Sequence, residues 1–278
     1  MTRIAVIGGG RIGEALISGL LKAGRAARDL VVAESFPARA AELAEQYAIR
    51  VTTVADAAEG ADVVVIAVKP GDVDPVVAQL AAGDLDGERE QLIVTLAAGL
   101  PTWRYENKLP AGVPVVRVMP NTPMLVGEGV SAIAAGRFAK AEHLETVREL
   151  LGSVGKVVTV SEAQIDAVTA VSGSGPAYFF LVAEAMVDAG VSLGLTRATA
   201  SELVVQTMVG SAAMLAESGE SATELRAAVT SPGGTTAAAV RELERGGLRT
   251  AFYDALTAAK VKSAALGAPT EKAGVSAE

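Results

Sequence analysis

The amino-acid sequence predicts an α/β protein: an N-terminal doubly wound, mainly parallel sheet followed by an all-helical C-terminal domain. Three observations carry this. As far as Ser161, short β-branched runs alternate with helical patterns. The first run passes straight into a glycine-rich turn, Gly8-Gly9-Gly10-Arg11-Ile12-Gly13, that opens the first helical pattern. From Ser161 to Ala265 long helical segments follow one another with no convincing strand. The expected divisions are residues 1–161, 162–267, and a small, polar, disordered tail over 268–278.

Taken in order, Ile4-Ala5-Val6-Ile7 reads as a strand and Ile12 to Ala23 as a helix closed by Gly24. Leu30-Val31-Val32-Ala33 is a second strand, and Pro37 opens a helix that runs to Gln46. Val63 to Val68 is continuously apolar, as expected of a strand covered on both faces. Leu92 to Thr95 and Val115 to Val118 continue the series, with Val130 to Ala134 and Lys156 to Val160 as edge strands. The second half gives helices over Glu162–Val171, Ala177–Leu193, Thr196–Glu217, Ala222–Val229, Thr235–Arg245 and Leu248–Leu266. Small residues crowd them, which permits close helix–helix approach.

Composition narrows the function. Half of the 278 residues are hydrophobic and 4% are aromatic, so alanine, valine and leucine must fill most of the core. A helical domain this apolar is expected to bury part of its surface against another subunit. A net charge of −8 argues against a nucleic-acid partner, which needs a concentrated basic face. Zero cysteines exclude disulfides and thiolate metal sites. One histidine leaves no serine–histidine nucleophile pair and no zinc cluster, so no metal is expected. That histidine, His143, stands between Glu142 and Glu145 and reads as part of a solvated helix face. No secretory signal is visible, because the apolar run after Arg3 breaks at Gly8. The stretch from Tyr178 to Leu195 carries Glu184 and Asp188, which suits a buried amphipathic helix better than a lipid-facing one. The expected setting is the cytoplasm, away from any membrane.

Gly8, Gly10 and Gly13 have the G-x-G-x-x-G spacing between a strand and a helix, the context in which it signifies dinucleotide binding. Gly8 permits the tight turn, and Gly10 lets the N–H groups of Arg11 and Ile12 approach a pyrophosphate. Gly13 lets helix and strand pack closely. Glu34 ends the second strand about twenty residues further on, where a carboxylate can hold ribose hydroxyls. It favours NADH, whereas Ser35 and Arg39 nearby offer a place for the extra phosphate of NADPH. A solvated glutamate at a strand end is the competing reading, and coenzyme preference stays open.

Three later strand ends should line one crevice with that turn, since ligands bind beyond the carboxyl ends of such strands. They are Val68-Lys69-Pro70, Ala97-Ala98-Gly99, and Arg117 to Pro123, which includes Asn121. Later, Ser231-Pro232-Gly233-Gly234-Thr235-Thr236 precedes a predicted helix, whose unspent N–H groups and dipole favour an anion. An N-cap serine with a flexible entry turn would look the same.

These blocks, with Ser172-Gly173-Ser174-Gly175-Pro176-Ala177-Tyr178, run in order along nearly the whole chain, and the chain resembles the pyrroline-5-carboxylate reductase family. The two helical-domain blocks are the specific ones; the glycine turn is shared by many dehydrogenases. The resemblance implies a Rossmann-type dinucleotide-binding domain over 1–161 and a substrate and dimerisation domain over 162–267. It implies hydride transfer from NADPH or NADH to the cyclic imine pyrroline-5-carboxylate, giving L-proline in the last step of proline biosynthesis. It assigns Ser231, Gly233, Gly234, Thr235 and Thr236 to the substrate carboxylate, set against the cofactor domain of a partner subunit. The assembly it implies is a homodimer unit, extending to a higher oligomer such as a decamer. Thr169 becomes the candidate hydrogen-bond donor to the ring nitrogen, although a helix threonine also bonds back to its own carbonyls. Tyr178 is closer to a core or interface residue than to a pocket residue. Some family members have lysine where this chain has Ala213, so no role carries over there. A cyclic imine can take its proton from solvent, which agrees with a chain that lacks a catalytic histidine. Two other readings stay open: a related imine or hydroxy-acid reductase, and a dinucleotide-sensing protein without turnover. Hydroxy-acid enzymes of this architecture usually recruit a helical-domain lysine, and residues 162–217 contain none.

Overall fold

The computed structural model describes residues 2–83 and 91–268; most of the expected tail, 269–278, lies outside them. Eight strands form one sheet: β1 (Ile4–Ile7), β2 (Leu30–Ala33), β3 (Arg50–Thr52), β4 (Val63–Ile66), β5 (Leu92–Thr95), β6 (Val115–Met119), β7 (Gly129–Ala135) and β8 (Gly155–Thr159). Their order is β3-β2-β1-β4-β5-β6-β7-β8. The first six are parallel, in the order of a doubly wound dinucleotide fold. β7 turns back antiparallel to β6, and β8 lies parallel to β7. Only β8 of that last pair is an edge; β7 is interior because β8 pairs with its free side. β3 forms the other edge and escaped the sequence reading, since three residues give too short an alternation.

Alternation along each strand divides the core between the two faces of the sheet. Ile4, Val6, Leu30, Val32, Val63 and Val65 face α1 (Arg11–Lys22), α2 (Pro37–Tyr47) and α6 (Ala141–Gly152). Ala5, Ile7, Val31, Val64, Ile66 and Ile93 face α3 (Val54–Ala58), α4 (Val73–Ala82) and α5 (Thr102–Glu106). With both faces covered, the strands read as unbroken apolar runs. α3 and α5 are single short turns of helix, and α4 lies in a nearly uniform apolar stretch with little periodicity to detect.

Contacts group residues up to Ser174 with the chain from Ala259 onward as one compact unit, and Gly175–Ala258 as a second. The first therefore includes α7 (Ile165–Val168), a π-helical turn over Thr169–Gly173, and the end of α12 (Leu248–Gly267), where the Ser263 hydroxyl donates to Asp166 at 2.7 Å. Beyond α7 the second unit holds α8 (Gly175–Ser192), α9 (Arg197–Glu217), α10 (Ala222–Ala228) and α11 (Thr235–Arg245). α8 and α9 pack through Val187, Ala200 and Val204, and a side chain at Gly190 would come within 3.2 Å of the Ala200 Cβ. The Tyr178 ring meets Phe252 edge-on, the centroids 6.4 Å apart.

The expected burial of the Tyr178–Leu195 stretch is not met within one chain. Phe179, Phe180 and Leu181 are about two-thirds exposed. The run Glu162–Ser192 is long and apolar enough, by composition, to cross a membrane, and 17% of its most apolar window is buried. Within the single chain this surface stays open. His143 also departs from expectation. It is buried, and its Nδ1 accepts the Lys140 N–H at 3.0 Å, closing a capping box at the start of α6. The polar neighbours suggested a solvated face, whereas the imidazole serves as the cap.

Candidate active site

β1 runs directly into the glycine turn. Gly8 has φ +105°, and a side chain there would meet the Ala67 carbonyl at 2.9 Å. A Cβ on Gly13 would fall 2.0 Å from the Gly8 carbonyl oxygen, so the close approach of α1 to β1 admits only glycine. Gly10 is different. Its backbone is extended and nothing lies within 4 Å of its Cβ position. The fold does not need glycine there, and what glycine leaves is an open face at the N-terminus of α1. No side chain caps that helix, and its first-turn N–H groups have no intrahelical partner. An uncapped helix end behind a bare turn suits a dinucleotide pyrophosphate.

Gly9 is held from behind. Its N–H donates to Glu34 Oε2 at 2.8 Å, and a Cβ would collide with Leu43 at 2.3 Å. Glu34 Oε1 accepts the Phe36 N–H at 2.9 Å. Arg39 donates through Nε to the Gly9 carbonyl at 2.9 Å and pairs with Glu42 at 2.7 Å and with Glu14. The Glu42 hydrogen bond, opposed by burial and reinforced by Glu14, raises the Arg39 pKa above its ordinary value. Tyr47 donates to Glu14 at 3.0 Å. Of the two residues expected to offer a place for an extra phosphate, Ser35 is exposed and Arg39 is engaged with Gly9, Glu42 and Glu14; the i, i+3 spacing to Glu42 was the available signal.

The strand-end loops differ in what they offer. Val68 is half-buried, while Lys69 and Pro70 are exposed. Ala97 is buried with its N–H on Thr95 Oγ1 at 3.3 Å, and Ala98 is half-buried. Gly99 has φ +78° and lies under Leu266, at 2.9 Å from a notional Cβ. Asn121 spends both ends of its amide: Oδ1 accepts the Val130 N–H at 2.9 Å and Nδ2 donates to the Ser172 carbonyl at 3.2 Å. That second bond ties the β6 loop to the π-helical turn. Thr169 opens this turn half-buried, its hydroxyl donating to the Ile165 carbonyl at 2.9 Å. A π-helical turn is uncommon and recurs at functional sites.

Arg117 lies in β6, as its place in the Val115–Val118 run predicts, and its side chain is buried. It pairs with Glu162 at 2.6 Å, leaving Arg117 Nη2 and Glu162 Oε2 buried without partners. The Tyr105 hydroxyl shares a 2.6 Å hydrogen bond with Thr95, and burial pushes its pKa up to about 12.

In the second unit, Ser231–Thr236 forms an exposed entry to α11. Gly233 has φ +72°, and a Cβ on Gly234 would fall 2.5 Å from Ser231 Oγ. Gly234 caps α11 with no side-chain hydrogen bond, which leaves the N–H groups after it unspent, as the anion reading requires. The sheet unit and this loop belong to different compact units. Among the described residues no cluster of acids and histidines could hold a metal ion.

Residues 162–266 match the pyrroline-5-carboxylate reductase dimerisation family, and residues 3–99 match the family described as NADP oxidoreductase coenzyme F420-dependent. The chain is 58% identical to the pyrroline-5-carboxylate reductase of Mycobacterium tuberculosis H37Rv, over 95% of this chain and 96% of the relative. A solved structure of a pyrroline-5-carboxylate reductase from Coxiella burnetii superposes with a TM-score of 0.91 at 37% identity, covering 96% of this chain and 99% of that one. The Plasmodium falciparum pyrroline carboxylate reductase, solved with NADP bound, gives a TM-score of 0.82 at 28% identity, covering 96% and 98%.

Proposed function

The chain belongs to the pyrroline-5-carboxylate reductase family, and from that premise we propose how its own residues perform the reduction. It is an NAD(P)H-dependent oxidoreductase that acts on the C=N bond of pyrroline-5-carboxylate to give L-proline, and it works as a homo-oligomer. The bound coenzyme supplies the hydride. We assign the coenzyme's diphosphate to Gly8, Gly10, Arg11, Ile12 and Gly13 at the end of α1, and its adenosine ribose to Glu34 and Ser35. We assign the nicotinamide end to Val68, Lys69, Pro70, Ala97, Ala98, Gly99 and Asn121. The substrate carboxylate goes to the α11 entry, Ser231, Gly233, Gly234, Thr235 and Thr236, contributed by a partner subunit.

Thr169 is the candidate for the ring nitrogen. Its hydroxyl proton is given to Ile165, so it offers lone pairs rather than a proton. Those suit an imine already protonated from solvent, whose N–H needs an acceptor. Positioning, rather than a strong acid, then carries the catalysis. We place the dinucleotide domain at 1–161 and the substrate and dimerisation domain at 162–267. The assembly we favour is a homodimer unit that can extend to a higher oligomer such as a decamer, cytoplasmic and away from membranes.

The observation that carries this reading is the open, uncapped helix end at Gly10, where a glycine the fold does not need leaves room for a ligand. The test is the loss of reduced-coenzyme absorbance with and without pyrroline-5-carboxylate. Oxidation dependent on that substrate is expected; coenzyme binding without turnover would overturn the assignment.

A further inference from the structure

We infer that this chain selects NADH over NADPH, with Glu34 rejecting the 2′-phosphate and Arg39 committed to two other carboxylates. The inference rests on the coenzyme site proposed above and adds its selectivity. A 2′-phosphate on the adenosine ribose would arrive at the end of β2, where Glu34 stands. The Glu34 carboxylate is not free to swing away, because Oε2 takes the Gly9 N–H at 2.8 Å and Oε1 takes the Phe36 N–H at 2.9 Å. Two backbone donors fix it facing the turn. Each carboxylate oxygen accepts from a second donor readily, so ribose hydroxyls can still be held. A phosphate offers mostly acceptors and brings a charge of about −2, which a fixed carboxylate repels.

Selection for NADPH would need a cation to offset that carboxylate. On this side of the turn the candidate is Arg39, and its charge is already matched by two carboxylates. Nε donates to the Gly9 carbonyl, one terminal nitrogen pairs with Glu42 and the other with Glu14. Its three nitrogens thus face one carbonyl and two carboxylates, and Tyr47 holds Glu14 in place. Releasing Arg39 toward a phosphate would strip two acids of their partner and loosen the Gly9 carbonyl. Arg11, on the first turn of α1, is the other cation of the turn. The diphosphate, common to both coenzymes, has first claim on it.

The experiment has two readouts. Calorimetric binding of NAD⁺ and NADP⁺ to the full-length protein is expected to favour NAD⁺ by about tenfold or more, the scale of a like-charge clash. Turnover of pyrroline-5-carboxylate with NADH and NADPH is expected to show the same preference in kcat/KM. In Glu34→Gln the side-chain oxygen can still accept the Gly9 N–H while the charge is gone, so the preference is expected to shrink severalfold. Equal or tighter binding of NADP⁺ by the unaltered chain would overturn the selectivity. Failure of the broader reading looks different: neither coenzyme binds, or neither is oxidised.

Discussion

Gly10 and Gly13 are the same residue type meeting different needs, and alanine separates them. At Gly13 a Cβ would sit 2.0 Å from a backbone oxygen that cannot retreat without moving β1 or α1. Gly13→Ala is expected to cost about 1–3 kcal/mol of stability, visible as a lower midpoint in urea unfolding. Gly10→Ala has empty space to fill and is expected to leave that midpoint in place while weakening coenzyme binding in calorimetry. If both variants lose stability equally, the open face at Gly10 is not a binding surface. Thr169→Val keeps the shape and removes the lone pairs. Turnover is expected to fall about tenfold to a hundredfold, the worth of a hydrogen bond to a charged group, with coenzyme affinity nearly unchanged. Unaltered turnover would remove Thr169 from the mechanism. At this scale the sequence was legible where backbone geometry dictates the residue, as at Gly8 and Gly13. It was opaque where long side chains choose among partners. Nothing in the spacing showed that Arg39 would reach the Gly9 carbonyl, or that His143 would fold back as a cap.

Between elements, the tie that stands out joins β6 to the turn before α7. Arg117 is buried, and Glu162 is its partner. Glu162→Ala would strand a buried guanidinium and is expected to cost about 3 kcal/mol in chemical unfolding, since removing one partner leaves the other charge uncompensated. A cost near zero would mean that Arg117 finds another acceptor. A more exposed tie joins α4 to α5. The hydrogen bond from Arg104, then that from Lys108, lowers the Asp74 pKa from 3.8 to about 2. A depressed carboxylate stabilises fully above its unfolded pKa, and the contribution fades as pH falls through the folded value, from about pH 4 to pH 2. Because these side chains are largely solvated, Asp74→Asn is expected to cost less than about 1 kcal/mol at neutral pH. That difference should vanish near pH 2; a cost independent of pH would point to lost packing instead. Elements of four or more residues with a clear period were readable, including α11 to the residue. β3, α3 and α5 were not, because three to five residues hold too little pattern to distinguish from loop.

For the whole molecule the open question is what covers the apolar helices of the second unit. Phe180 and Leu203 are more than half exposed on α8 and α9 of a family whose matching region is a dimerisation domain. Phe180→Glu is expected to shift sedimentation equilibrium from oligomer toward monomer and to abolish turnover while coenzyme binding persists. An unchanged oligomer would place the interface elsewhere. Mixing two inactive proteins, one altered at Gly10 and one at Thr235, is expected to restore part of the activity if subunits exchange loops. No recovery after verified subunit exchange would mean that each chain completes its own site. The end of α12 carries a different kind of consequence. Leu266 and Gly267 close over Gly99, so the sheet unit is finished by the end of α12 rather than by its own half. Gene segments cut after Ser174 could not be shuffled as independent exons, and a ribosome releases the sheet complete only after the whole helical unit has been made.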